Sequence, residues 1–130
     1  MIKTPLLTVD AIIIYKDKIV LIKRKNPPYK DMFALPGGHV DIGETVEEAV
    51  VREAKEETNL DIKIVDLLGV YSDPKRDPRG HVVSICYIAL GHGELKAGDD
   101  AADIELFDIE KVPTLAFDHN KIIEDAMTKQ

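Results

Sequence analysis

Apolar and β-branched residues dominate Val9 to Tyr15 and Ile19 to Ile22, with polar Lys16-Asp17-Lys18 between them. Continuous apolar runs split by a polar turn read as two buried strands of a hairpin. Asn26-Pro27-Pro28-Tyr29 breaks the pattern as a loop, because two prolines remove backbone donors. Phe33-Ala34-Leu35 predicts a short strand, ended by Pro36-Gly37-Gly38. The apolar period then changes and predicts a helix over Val46 to Thr58. Thr45, with Glu48 three residues on, has the sequence of a capping box. Asn59 suits the left-handed residue that closes a helix. Ile62 to Tyr71 and His81 to Leu90 read as strands around a charged loop, Ser72 to Gly80. Gly91 to Asp103 is acidic and loop-like, Ile104 to Phe107 is a short strand, and Asn120 to Met127 has helical spacing. Strands, helix, strands, helix predict an α/β (α+β) fold in one domain, 1–130, with a mixed central sheet flanked by helices.

The helix over Val46 to Thr58 carries acid on its apolar side. With Val46 at zero, Ala49, Val50 and Ala54 fall at about 300°, 40° and 80° and define the stripe. Glu53 and Glu57 fall inside it, at about 340° and 20°, and Glu56 at its edge, near 280°. Carboxylates aimed at a core cost several kcal/mol or shift their pKa unless something compensates them. Side chains at i, i+3 and i+4 share a face and can converge on a hard divalent cation. Three solvated glutamates near a helix end are the competing reading. Gly37-Gly38 before the helix lets backbone approach a ligand, with a carbonyl for metal and amides for phosphate. Glu44 precedes the cap, and Arg52 adjoins Glu53, so a cation inside the acidic cluster can hold its carboxylates ionised.

Composition narrows the partners. Of 130 residues, 45% are hydrophobic and 32% charged, the mix of a folded globular chain. Lysine and arginine number 17 and acids 24, a net charge of −7, which repels a nucleic-acid backbone. A small phosphate compound fits if a cation neutralises the site. The single cysteine, Cys86, excludes an internal disulfide and points to a reducing, cytoplasmic setting. No apolar run approaches a membrane span, and no signal-peptide pattern opens the chain.

As one pattern, Gly38, five residues, Glu44, seven residues, then Arg52-Glu53-Ala54-Lys55-Glu56-Glu57-Thr58-Asn59-Leu60 resembles the signature box of the Nudix hydrolases. Its strongly polar positions are all filled. Asn59 departs from the usual glycine, and since asparagine also visits the left-handed region, the helix end is expected to survive. The resemblance implies an α/β/α sandwich and hydrolysis of a nucleoside diphosphate linked to another moiety. It implies Mg²⁺ (or Mn²⁺), two or three ions, held by Glu53, Glu56, Glu57 and the Gly38 carbonyl. Glu44 and Arg52 would organise the cluster. Glu57 is the first candidate for the general base, and Asp99, Asp100 and Glu105 are distant ones.

The segments Asp73 to His81 and Leu115 to His119 resemble the ADP-ribose pyrophosphatase group, and equally the ADP-ribose-sensing domains of NAD-metabolism repressors. The expected substrate is therefore ADP-ribose, a small nucleotide, cut to AMP and ribose 5-phosphate. The alternatives are a triphosphate house-cleaning enzyme of the 8-oxo-dGTP type and a non-catalytic ADP-ribose-binding module. Arg24 and Arg79 lead Lys23 and Arg76 as substrate contacts, with Gly37 and Gly38 beside them, and Phe33 or Tyr29 could stack on adenine. Analogy with the group implies a homodimer. Cys86, mid-strand among apolar residues, reads as inert core.

Overall fold

The computed structural model describes residues 3–98 and 101–129. Among these residues seven strands form one sheet: β1 (Leu6–Tyr15), β2 (Lys18–Arg24), β3 (Phe33–Ala34), β4 (Gly37–His39), β5 (Asp61–Tyr71), β6 (Val82–His92) and β7 (Ala101–Phe107). Two helices, α1 (Val46–Thr58) and α2 (His119–Thr128), and a short 3₁₀ turn, Ile109–Lys111, complete the fold. The main path runs β3-β2-β1-β6-β5, with β4 pairing β1 and β7 pairing β2. β1 and β6 are parallel and every other pair is antiparallel, so the sheet is mixed, as expected.

Alternation along β1 separates two cores. Val9, Ala11 and Ile13 pack with Ala49, Val50 and Ala54 of α1, while Ile12 packs with Ile122, Ile123 and Ala126 of α2. This is the α/β/α sandwich, with one helix on each face. The capping box of α1 forms: Glu48 N–H donates to Thr45 Oγ1 at 3.0 Å, and Thr45 N–H to Glu48 Oε1 at 2.9 Å. Asn59 takes the left-handed conformation, φ 65°, and its N–H closes on Lys55 O. The departure from glycine thus leaves the helix end intact.

Two local expectations need correction. Gly37-Gly38 does not end a strand; with His39 it forms β4, which pairs antiparallel with Thr8 to Asp10. Gly91 to Asp103 is not loop throughout, since β6 runs to His92 and β7 begins at Ala101. Between them, Lys96 N–H donates to Thr58 O and Gly98 N–H to Glu57 O. The segment thereby satisfies the carbonyls at the end of α1 that a helix leaves unpaired. Among the described residues, no helix is long and apolar enough to cross a membrane.

Candidate active site

A cleft of about 680 Å³ opens at one end of the sheet. Leu6, Thr8 and Asp10 reach it from β1, Ile22 and Arg24 from β2, and Gly37 to His39 from β4. The period of two brings alternate side chains of each strand to one face. Helix α1 adds Glu53 and Glu57, the charged loop adds Arg76, Asp77 and Arg79, the turn before α2 adds Phe117, and the first residue of α2 adds His119.

One pole of the cleft is acidic. Glu57 is 8% exposed, and its Oε1 accepts Gly37 N–H at 3.2 Å. Burial is the main reason its carboxyl is pushed up to about 9, with the charges of Glu53 and Asp10 adding to it. Burial also raises Glu53, against the pull of Arg52. Gly38 has no room for a side chain, because a Cβ there would overlap the Glu53 carboxylate. Arg52 ties the acids together. Its Nε and Nη2 donate to Glu44 at 2.7 and 3.0 Å, Nη1 to Glu53 at 2.7 Å and Glu56 at 3.1 Å, and Nη2 to the His39 carbonyl at 2.9 Å. The Arg52 contact is the main reason the Glu44 carboxyl lies down at about 2.

The other pole is basic. The Arg24 and Arg79 guanidinium carbons lie 5.0 and 5.5 Å from the centre of the Phe117 ring. Arg79 is held by Asp77 through Nε at 3.0 Å and Nη2 at 2.8 Å. Burial opposes charge on Asp77, yet Arg79 holds its carboxyl below the usual range. Arg24 donates to the Pro28 carbonyl at 2.7 Å, and no carboxylate among the described residues is within ion-pair distance of it. Burial, then the like charge of Arg79, lowers its pKa. Such a cation is stabilised by an incoming anion. Arg76 is buried and forked onto Asp118, at 2.9 Å through Nε and 2.7 Å through Nη2, which ties the charged loop to α2.

The structure therefore brings Arg24, Gly37, Gly38, Glu53, Glu57 and Arg79 to one cleft, with Arg52 and Glu44 immediately behind. It does not bring Glu56 there, whose side chain is 56% exposed and turned to Arg52. Among the described residues, no three His, Cys, Asp or Glu side chains form a ready cage for an ion. Phe33 lies outside the cleft with its ring edge on Phe107, 5.2 Å between centroids. Tyr29 is not among the cleft residues either, but it meets Phe117 edge-on at 4.8 Å. Lys23 and Glu105 are not among the cleft residues, and Asp99 and Asp100 fall outside the described residues. Sequence reasoning gave no individual role to Asp10, Phe117 or His119. Asp10 had a signal: an ionisable residue inside an otherwise apolar strand.

Residues 4–126 match the family model for the NUDIX domain. The chain is 64% identical over 125 residues to an ADP-ribose pyrophosphatase of Methanocaldococcus jannaschii, covering 95% of this chain and 73% of that protein. It spans about half the length of two further curated relatives, 54% and 50%. Among solved structures, a MutT/nudix family protein from Enterococcus faecalis superposes with TM-score 0.88 at 36% identity, over 99% of this chain and 63% of that one. The NUDIX domain of Shewanella oneidensis NrtR, complexed with ADP ribose, gives TM-score 0.85 at 32% identity, over 97% and 88%.

Proposed function

This chain belongs to the NUDIX family, and on that premise we propose that its cleft hydrolyses the diphosphate of ADP-ribose, adding water to yield AMP and ribose 5-phosphate. The observation that carries the reading is that Glu53 and Glu57 line one cleft together with Arg24 and Arg79. An acidic group suits divalent ions and a basic group suits phosphates. The identity to a named ADP-ribose pyrophosphatase supports the substrate. The whole chain, 1–130, acts as a single domain in this reading, as a cytoplasmic homodimer, and light scattering tests the dimer.

The donor set fits a hard divalent ion. Glu57 is a buried carboxylate raised by its surroundings, and Gly38, lacking a Cβ, lets the Glu53 carboxylate come close to its backbone. Glu53, Glu57 and the Gly38 carbonyl would hold the ions, two or three in number, with Glu56 joining if its side chain leaves Arg52. Bound Mg²⁺ or Mn²⁺ supplies charge stabilisation to the diphosphate and to the attacking water.

The chain's own groups do the rest. Glu57, ionised once divalent charge offsets its burial, would accept the proton of the attacking water, with one oxygen held by Gly37 N–H. Arg52 fixes Glu53 and Glu44 with a planar fork that a lysine lacks. Arg24 and Arg79 meet phosphate oxygens as charge develops there. Phe117, backed edge-on by Tyr29, offers an aromatic face to a base.

Product analysis tests the reading. ADP-ribose, NADH, diadenosine tetraphosphate and normal or oxidised nucleoside triphosphates are incubated with and without Mg²⁺. Metal-dependent AMP from ADP-ribose is expected. Preference for a triphosphate, with release of pyrophosphate, overturns the substrate. Tight ADP-ribose binding without turnover of any compound identifies a sensing module instead.

A further inference from the structure

Asp10 interrupts β1 on the face where Ile12 meets α2. It is 9% exposed, yet it lines the cleft. Its Oδ2 accepts the Ser84 hydroxyl at 2.5 Å. Its Oδ1 lies against Gly37, where any Cβ would overlap it.

His119, also lining the cleft, is fixed just as firmly. Leu35 N–H donates to its Nδ1 at 3.0 Å, and its ring tilts on Phe117 with 5.4 Å between centroids. A neutral imidazole whose Nδ1 accepts carries its proton on Nε2. Burial, the largest influence on this group, lowers its pKa and favours that neutral ring. Nε2 lies 3.9 Å from Asp10 Oδ2, too far for a direct hydrogen bond. A donor and an acceptor thus border the cleft side by side without satisfying each other.

We infer that Asp10 and His119 form a sugar-hydroxyl site, in which one ribose hydroxyl of the substrate accepts from His119 Nε2–H and donates to the Asp10 carboxylate. This inference rests on the reading of the cleft as a nucleoside-diphosphate site. A hydroxyl is both donor and acceptor, which the pair demands. A phosphate is repelled by Asp10, and an apolar group leaves His119 Nε2–H without an acceptor. Gly37 fixes the location, since its N–H binds Glu57 and its Cα lies against Asp10. The hydroxyl site therefore adjoins the acidic pole, and the group bonded to a diphosphate on either side is a ribose. Carboxylates read ribose hydroxyls in the same way in dinucleotide-binding sheets.

The test compares wild type, Asp10→Asn and His119→Phe on three compounds with Mg²⁺. These are ADP-ribose, the ethyl ester of ADP (no terminal sugar), and ADP-ribose built on 2′,3′-dideoxyadenosine. Both variants should lower kcat/KM for ADP-ribose about 10- to 100-fold. The analogue that lacks the recognised hydroxyl should be slow with wild type and indifferent to both substitutions, which also identifies the ribose. An equal loss on all three compounds, or no loss, overturns the site. Should Asp10→Asn fail to fold, His119→Phe alone decides. If wild type cleaves none of the three, the hydrolytic reading fails, and dissociation constants for the same compounds decide the hydroxyl site. Variant-dependent discrimination of one analogue then supports it, and no discrimination or no binding overturns it.

Discussion

Replacing Glu57 by glutamine should stabilise the metal-free protein while abolishing most of its activity. Glutamine keeps the volume and can still accept Gly37 N–H, but it cannot ionise. The Glu57 carboxyl moves from an ordinary 4.5 to about 9 on folding, chiefly through burial. A folded chain that keeps a proton which the unfolded chain releases loses stability as pH rises from about 4.5 towards 9, and has lost none below 4.5. At about 1.4 kcal/mol per pH unit, the wild type forfeits about 3 kcal/mol at pH 7, about 5 at pH 8 and under about 1 at pH 5. Urea unfolding in EDTA at pH 5 and pH 8 measures this directly. The variant should nearly match wild type at pH 5 and exceed it by several kcal/mol at pH 8. Saturating Mg²⁺ should raise the wild type and leave the variant almost unchanged, and turnover should fall about 100-fold or more without the base. A stability difference that is the same at both pH values refutes the burial argument, and so does a variant less stable at pH 8.

Three further outcomes follow from the same geometry. Arg52→Lys should lower kcat/KM at least about 10-fold despite keeping the charge, because one ammonium cannot bridge Glu44, Glu53 and the His39 carbonyl together; steady-state kinetics reads this. Gly38→Ala should displace the Glu53 carboxylate and weaken Mg²⁺ binding, measured by calorimetry, with the unfolding midpoint little changed. Arg76→Met should cost about 3–5 kcal/mol by leaving Asp118 uncompensated, whereas Arg76→Met with Asp118→Leu should recover most of it in chemical denaturation.

What could be read from the chain was what local physics decides. The limits of α1, its capping box and the left-handed Asn59 depend on neighbours within four residues. Glu57 was legible because a carboxylate in an apolar stripe is conspicuous at any distance from its partners. Glu56, at the stripe's edge, went outward to Arg52. β4 was illegible because Gly-Gly has no strand propensity of its own. It is a strand only because β1 lies beside it, and its lack of side chains lets Asp10 and Glu53 come close. Phe33 offered no choice between core and cleft until β7 set Phe107 against it. The Arg24, Phe117, Arg79 cluster joins three distant segments, which no spacing rule relates.

The parallel pairing of β1 with β6 has a consequence for how the chain can be made. Residues 6 and 14 find their partners only at 82 and 90, so the middle strand of the sheet waits for most of the chain. During vectorial synthesis the β1–β2 hairpin and α1 emerge first, with Ile12, on the face that α2 covers, still exposed. Closing so long a loop is slow, and nascent strands with open edges invite pairing with other chains. β1 therefore stays without its parallel neighbour until β6 has been made.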